Sequence, residues 1–216
     1  MKQAQTLTLV TLAILVAGLI GAVIYVQFGS ANATLSIEGQ PSSGDPDSPV
    51  TVAVFEDFRC PACGSFTSDV YPQIKREYID TDKIQFVFIN FPLPGHGEPA
   101  VTAALASECV YQQNPKAFWD YKNLLFRLQQ VSLQEGEGIY NARYLSSLAS
   151  DNLANIDGDA LRTCIEDKET LELVEGDIAM ARAIGVPSTP SVYINGERVE
   201  SWNFPSLKAE FDALLP

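Results

Sequence analysis

The residues in this sequence best suited to chemistry form the motif Cys60-Pro61-Ala62-Cys63, which follows the apolar stretch at residues 50–58. Two thiols at this spacing can form a redox pair, and they can also supply half of a zinc site. The motif lies where a predicted strand gives way to a predicted helix, and a helix N-terminus stabilises the thiolate of Cys60. Cys63 follows about one turn later on the same face, close enough to attack a mixed disulfide at Cys60. The motif therefore predicts thiol–disulfide exchange.

A zinc site built from the four cysteines and His96 is the competing interpretation. Zinc sites of this kind usually combine two close-spaced ligand pairs, whereas Cys109 and Cys164 lie far apart in the sequence. His96 is interpreted as a surface loop residue. The chain has no Ser/His/Asp set, phosphate-binding loop or dinucleotide fingerprint. We therefore expect no metal and no cofactor.

Length and charge exclude other classes of function. The 216 residues suffice for one domain with a core and a smaller appendage. The formal net charge of −13 arises from 14 basic and 27 acidic residues, which are spread along the chain. Because no basic patch is available to follow phosphates, a nucleic-acid partner is not expected.

The N-terminal segment predicts export. Residues 7–28 contain no charged residue, and about 20 apolar residues suffice to cross a membrane. With Lys2 before this segment and Glu38 as the next charged residue, we predict a single-pass cell-membrane anchor at residues 1–28. The N-terminus would then be cytoplasmic and the remainder outside the cytoplasm. A cleaved signal peptide, ending near Ala31-Asn32-Ala33 and leaving a secreted or periplasmic protein, is the alternative.

Residues 29–49 are rich in Ser, Gly, Pro and Asp, a composition typical of a flexible tether. Residues 34–37 could add a short edge strand. Residues 50–55 and 84–89 are apolar and β-branched, which predicts two strands covered on both faces. Between them, residues 63–78 predict a helix with a kink at Pro72, so the three elements form a parallel βαβ unit. The apolar stripe of this helix consists of Phe66, Val70, Ile74 and Tyr78.

The second half of the chain predicts a helical block followed by a hairpin and a helix. Residues 98–185 carry mostly helical patterns, and their aromatic residues fit the core of a helix bundle. Residues 191–194 and 197–200 flank Asn195-Gly196, a strong signal for a two-residue hairpin turn. Residues 204–215 predict the final helix. The predicted domain at residues 50–216 is thus α/β, with the order βαβ, helical block, ββα.

Three segments resemble the DsbA-like thiol–disulfide oxidoreductases of the thioredoxin superfamily: residues 54–63, 103–121 and 185–196. The resemblance implies a thioredoxin-like fold with a helical domain inserted at about residues 98–185. It also implies roles for individual residues, with Cys60 as the nucleophile and Cys63 as the resolving cysteine. Pro190 corresponds to a cis-proline that faces the redox pair and follows Thr189. The backbone of Thr189 would then receive an extended substrate peptide as an added strand.

The remaining cysteines, Cys109 and Cys164, correspond to a second, structural disulfide found in some members of this family. An oxidising compartment favours such a bond. In the chain-entropy model, closing this loop would stabilise the fold by about 4 kcal/mol. The alternative is a pair of buried free thiols.

Two departures from the family are visible in the sequence. Many relatives place a buried acid six residues before the nucleophile, where this chain has Val54. Glu56 and Asp57 are close to that position but shifted, and neither is assigned the role. The dipeptide Pro61-Ala62 also lacks the histidine of strongly oxidising members, a cation that would stabilise the thiolate. We therefore expect an oxidant of intermediate strength.

The resemblance implies an enzyme that introduces disulfides into exported proteins with free thiols. A quinone-linked membrane protein of the DsbB or vitamin K epoxide reductase type would re-oxidise it. A reductase or an isomerase on the same scaffold is an alternative, because the reduction potential sets the direction of exchange. A non-catalytic thioredoxin-like binding module is the other.

Overall fold

The computed structural model describes residues 34–216, so the predicted anchor and the Ala31-Asn32-Ala33 sequence lie outside the described part. Within residues 34–216, no helix combines the length and apolar character needed to cross a membrane. Residues 35–216 form a single unit around one five-stranded sheet.

The strands of the sheet are β1 (Ser42–Gly44), β2 (Thr51–Glu56), β3 (Gln85–Asn90), β4 (Ser191–Ile194) and β5 (Glu197–Arg198). Their order in the sheet is β1-β3-β2-β4-β5, and the β2–β3 pair is the parallel one among them. The predicted βαβ unit and the C-terminal hairpin are therefore present. The second hairpin strand ends at Arg198, two residues earlier than predicted.

Strands β2 and β3 lie at the centre of the sheet and are buried on both faces. Side chains alternate between the two faces of a strand, so Val52 and Val54 face one layer while Ala53 and Phe55 face the other. Glu56 lies on the same face of β2 as Val52 and Val54. An acidic residue is thereby placed on an apolar face of the sheet, which the helix after Cys60 covers.

A helical stretch packs on that face and then leads back to β3. It begins as α1 (Pro61–Ser65), widens to π-helical turns at Phe66–Val70, narrows to α2 (Tyr71–Ile74) and widens again at Lys75–Ile79. Pro72 lacks the N–H that would continue regular helical bonding. The helical bonding therefore changes register on either side of α2, and the kink at Pro72 stays a prediction.

The tether prediction for residues 29–49 is wrong where the chain joins the sheet. Ser42–Gly44 pairs antiparallel with β3, whereas residues 34–37, the predicted edge strand, form no strand. Gly44 has a φ of +88°, and a Cβ there would lie 2.1 Å from the carbonyl oxygen of Ile84. Gly44, which the composition assigned to a linker, thus allows its backbone to approach the backbone of Ile84 closely.

The helical block occupies the predicted region between β3 and β4. Its helices are α3 (Gly97–Gln113), α4 (Ala117–Glu135), α5 (Ala142–Asn152), α6 (Gly158–Glu166) and α7 (Leu171–Ala183), and α8 (Phe204–Leu214) closes the chain. Short 3₁₀ turns lie at Pro94–His96 and Glu137–Ile139. Cys109 on α3 and Cys164 on α6 are joined by a disulfide, and both residues are buried.

A buried acidic cluster connects this block to the end of β3. The Asn90 side chain donates to Glu108 Oε1 at 2.7 Å, and the Asn90 backbone N–H donates to Asp177 Oδ2 at 3.1 Å. Gln40 donates to the other oxygen of Asp177. Burial and the neighbouring Asp177 raise the pKa of Glu108 from 4.5 to about 8, and burial raises the pKa of Asp177 from 3.8 to about 6. The cluster is therefore most stable with Glu108 protonated.

We expect the Glu108→Gln variant to be less sensitive to alkaline pH than the parent protein. Between about pH 4.5 and 8 the folded chain binds a proton at Glu108 that the unfolded chain has released, so parent stability falls as pH rises. A neutral glutamine removes this loss, about 2–4 kcal/mol at pH 8. Urea unfolding at pH 5 and pH 8 in metal-free buffer measures it. Equal pH dependence in the two proteins would contradict the assignment.

Candidate active site

Cys60 lies at the start of the helix that packs beneath the sheet. Its backbone is extended, with φ −78° and ψ 118°, and Pro61 is the first helical residue, where a missing N–H costs nothing. Cys60 is 7% exposed and Cys63 is fully buried, and both are free thiols. Cys60 is therefore the slightly exposed member of the pair, and Cys63 is the enclosed one.

Asp57 organises the turn that presents Cys60. Its carboxylate accepts hydrogen bonds from the backbone N–H groups of Arg59 and Leu93, both at 2.7 Å. Asp57 Oδ2 also lies 2.6 Å from His96 Nδ1. His96, interpreted from sequence as a surface loop residue, is half-buried. It holds the turn after β3 against the turn at residues 57–60, called the redox turn below.

The loop before β4 meets the redox pair from the other side. The Thr189–Pro190 peptide bond is cis, and Cys60 Sγ lies 3.3 Å from the carbonyl oxygen of Thr189, to which it donates when the thiol is protonated. Thr189 is buried. Residues separated by 129 positions are thereby brought together, with Cys60 beside Thr189 and its cis-proline.

The two thiols have opposite acidities. A hydrogen bond from Cys63 lowers the pKa of Cys60 from 9.0 to about 5, with help from Thr189 and the backbone N–H groups of Ala62 and Cys63, and against the effect of burial. The pKa of Cys63 is raised well above 9.0, mainly by burial, then by its hydrogen bond to Cys60 and by the charge of Glu56. At neutral pH the pair therefore holds a thiolate at Cys60 and a proton on Cys63.

Glu56 and Lys122 form a buried ion pair next to this site, which the sequence analysis missed. Lys122 Nζ lies 3.6 Å from Glu56 Oε1 and donates to Thr67 Oγ1 at 3.1 Å. Thr67 Oγ1 in turn donates to Glu56 Oε2 at 3.4 Å. Lys122 Nζ also lies 4.2 Å from the centroid of the Tyr71 ring. Both charged side chains are completely buried.

Burial raises the pKa of Glu56 from 4.5 to about 7, although Lys122 opposes the shift. Burial also lowers the pKa of Lys122. Glu56 lies two residues after Val54 on the same face of β2, so strand alternation was the sequence signal that could have identified it. Lys122 carried no such signal, because it lies within an aromatic helix pattern.

No group of three or more His, Cys, Asp or Glu side chains within residues 34–216 is arranged to hold a metal ion.

Comparisons with known proteins agree with this geometry. The family model described as Thioredoxin matches residues 36–213. Disulfide bond formation protein D of Bacillus subtilis is 34% identical over 167 residues, which cover 77% of this chain and 72% of that protein. The probable disulfide bond formation protein D of Bacillus anthracis is 34% identical over 184 residues, covering 85% and 82%.

Solved structures show the same architecture. Oxidised BdbD from Bacillus subtilis superposes with a TM-score of 0.76 at 31% identity, covering 84% of this chain and 96% of that one. DsbA from Chlamydia trachomatis gives a TM-score of 0.72 at 23% identity, covering 83% and 93%, and supports the fold alone. The chain therefore belongs to the thioredoxin family and is a DsbA-like thiol–disulfide oxidoreductase.

Proposed function

We propose that this oxidoreductase introduces disulfide bonds into exported proteins, with Cys60 and Cys63 as its redox centre. The observation that carries the proposal is the placement of Cys60 at the start of α1 with Cys63 buried in the same helix, an arrangement that gives the two thiols opposite acidity. A stable thiolate favours the reduced form of the centre, so the oxidised centre readily transfers its disulfide to other proteins.

The reaction transfers one disulfide. A substrate thiolate attacks the Sγ of Cys60 in the oxidised centre, the bond between the two enzyme sulfurs breaks, and Cys63 leaves and takes up a proton. A second substrate thiolate then attacks the substrate sulfur bound to Cys60. Cys60 leaves as a thiolate, and a low thiol pKa makes it a fast leaving group. Two substrate thiols are oxidised and the enzyme disulfide is reduced by two electrons.

Glu56 is proposed to supply the proton that Cys63 takes up. Its pKa of about 7 permits both protonation states near neutral pH, and its charge acts on Cys63 across the buried site. Lys122 and Thr67 hold the Glu56 carboxylate in place and lower the cost of ionising it. Glu56 would therefore perform the task of the buried acid that relatives place at the position of Val54.

Thr189 and Pro190 are proposed to bind substrate. The backbone of Thr189 lies beside the Cys60 sulfur, where an extended peptide can add as a strand and present its own cysteine to Cys60. Main-chain bonding of this kind tolerates many sequences, which suits an enzyme with varied substrates.

Residues 1–28 are proposed to anchor the protein in the cell membrane with the catalytic domain outside the cytoplasm, or alternatively to be cleaved on export. The disulfide between Cys109 and Cys164 supports an oxidising compartment. Turnover requires an oxidant, for which we propose a quinone-linked membrane protein of the DsbB or vitamin K epoxide reductase type. Residues 29–34, which precede the unit formed by residues 35–216, remain the proposed tether.

The reduction potential of the Cys60–Cys63 pair tests the function. We expect a value near the roughly −120 mV of strong oxidants, or somewhat below it, when the full chain is titrated in glutathione buffers. Mass spectrometry follows Cys109–Cys164 separately, and Cys60→Ser, which lacks the redox disulfide, is the control. A potential near the roughly −270 mV of thioredoxin would exclude the oxidase and indicate a reductase.

A further inference from the structure

We infer that Gln129 is a positioning residue for Cys60, holding the redox turn in place from helix α4 through two hydrogen bonds to its backbone. The inference rests on the proposed role of Cys60 and Cys63 as the redox centre. It assigns the helical block a direct part in setting the properties of that centre.

The geometry of Gln129 is specific. Its side-chain amide nitrogen donates to the carbonyl oxygen of Phe58 at 2.7 Å and to that of Cys60 at 3.0 Å. Gln129 is buried, with 9% of its surface exposed. Both N–H bonds of the amide are thus used on two carbonyls of the redox turn. The Cys60 carbonyl also accepts the Gly64 backbone N–H at 3.1 Å, so loss of the amide would cost free energy mainly at the Phe58 carbonyl.

Gly64 provides the space for this contact. A Cβ at Gly64 would lie 2.7 Å from Gln129 Oε1, closer than atoms normally approach. Gly64 lies inside α1 with ordinary helical backbone, so its conformation does not require glycine, which costs about 1 kcal/mol against alanine in a helix. The approach of Gln129 explains why glycine is present.

The contact has an electrostatic consequence for the sulfur. Carbonyl oxygens carry partial negative charge, and those near Cys60 disfavour its thiolate. The amide N–H groups of Gln129 offset that charge at two carbonyls. Removing the amide therefore destabilises the thiolate and, with it, the reduced form of the centre.

The test compares Gln129→Met with Gln130→Met in the full chain. Methionine keeps the approximate volume of glutamine but has no N–H, and Gln130 is the exposed neighbour on the same helix. We expect Gln129→Met to shift the thiol–disulfide equilibrium with glutathione about tenfold toward the enzyme disulfide, which corresponds to about 30 mV. The absorbance of the thiolate should titrate at higher pH. Gln130→Met should match the parent protein.

Gly64→Ala provides a second, independent variant. The added methyl group displaces the Gln129 amide, so the equilibrium should move in the same direction. The gain in helix propensity should offset part of the stability lost with the two hydrogen bonds. In the double variant Gly64→Ala/Gln129→Met the effects of the two substitutions should not add, because both remove the same contact. If Gln129→Met fails to fold, Gly64→Ala alone decides.

A parent-like equilibrium and thiolate titration in a folded Gln129→Met or Gly64→Ala protein would reduce Gln129 to a packing residue and overturn the inference. These measurements use glutathione and no protein substrate. A parent potential typical of a reductase would therefore defeat the oxidase proposal, while the ratio between variant and parent would still test Gln129.

Discussion

Substitution of Cys63 by serine is expected to reduce disulfide formation in a reduced substrate at least about a thousandfold and to leave Cys60 as a trap. The variant has no enzyme disulfide to transfer, yet Cys60 remains in its turn beside Thr189. Any mixed disulfide formed at Cys60 then persists, because the only neighbouring thiol that could resolve it is gone.

Mass spectrometry after incubation with glutathione disulfide measures the trap. We expect one adduct per Cys63→Ser chain and none on Cys60→Ser, in which the remaining thiol is buried and protonated at neutral pH. The serine hydroxyl can still donate to the Cys60 sulfur, so the pKa of Cys60 should stay well below 9.0 and adduct formation should remain fast at neutral pH. Retention of activity by Cys63→Ser would rule out the proposed redox centre.

Substitution of Lys122 by methionine is expected to destabilise the protein by about 1–2 kcal/mol at pH 8, because it leaves the Glu56 carboxyl group buried without its cation. The loss of stability should increase as the pH rises. The pKa of Glu56 is already raised to about 7, so without Lys122 the folded chain holds this proton to still higher pH than the unfolded chain. The deficit should therefore be small at pH 5, where Glu56 is protonated, and grow as the pH rises through 7.

Urea unfolding at pH 5 and pH 8 measures this deficit. The exposed Lys116, just before α4, provides the matched control as Lys116→Met. The double variant Glu56→Gln/Lys122→Met should recover most of the lost stability, since it buries no unpaired charge. A deficit of the same size at both pH values would instead point to lost packing around Tyr71.

Local patterns predicted much of the fold. The apolar runs that became β2 and β3, the Asn195-Gly196 turn and the helical stretch after Cys60 are all determined by neighbouring residues. The edge strand was misplaced because composition describes residues 42–44 as a linker, whereas their pairing depends on β3, some 40 residues later. Contacts at such separations carry no local signature.

The candidate site divides along the same line. The spacing of Cys60 and Cys63 pointed to the two thiols, and the family resemblance pointed to Thr189, whose carbonyl lies beside the Cys60 sulfur. The sequence did not identify Glu56 and Lys122, because each is an ordinary charged residue in its own segment. Only the packing of the folded chain removes both from water. Gln129 escaped for a similar reason, since its role depends on the space left by Gly64.

The acidity of Cys60 also means that the two redox forms carry different electric charge. With a pKa of about 5, nearly all of the reduced protein bears a negative sulfur at neutral pH, whereas the oxidised protein bears none. The chain is already strongly acidic, with a formal net charge of −13, so delivery of a disulfide makes it more so. The reduced enzyme thus carries about one more negative charge than the oxidised enzyme. That charge lies on the sulfur from which a re-oxidant must withdraw electrons.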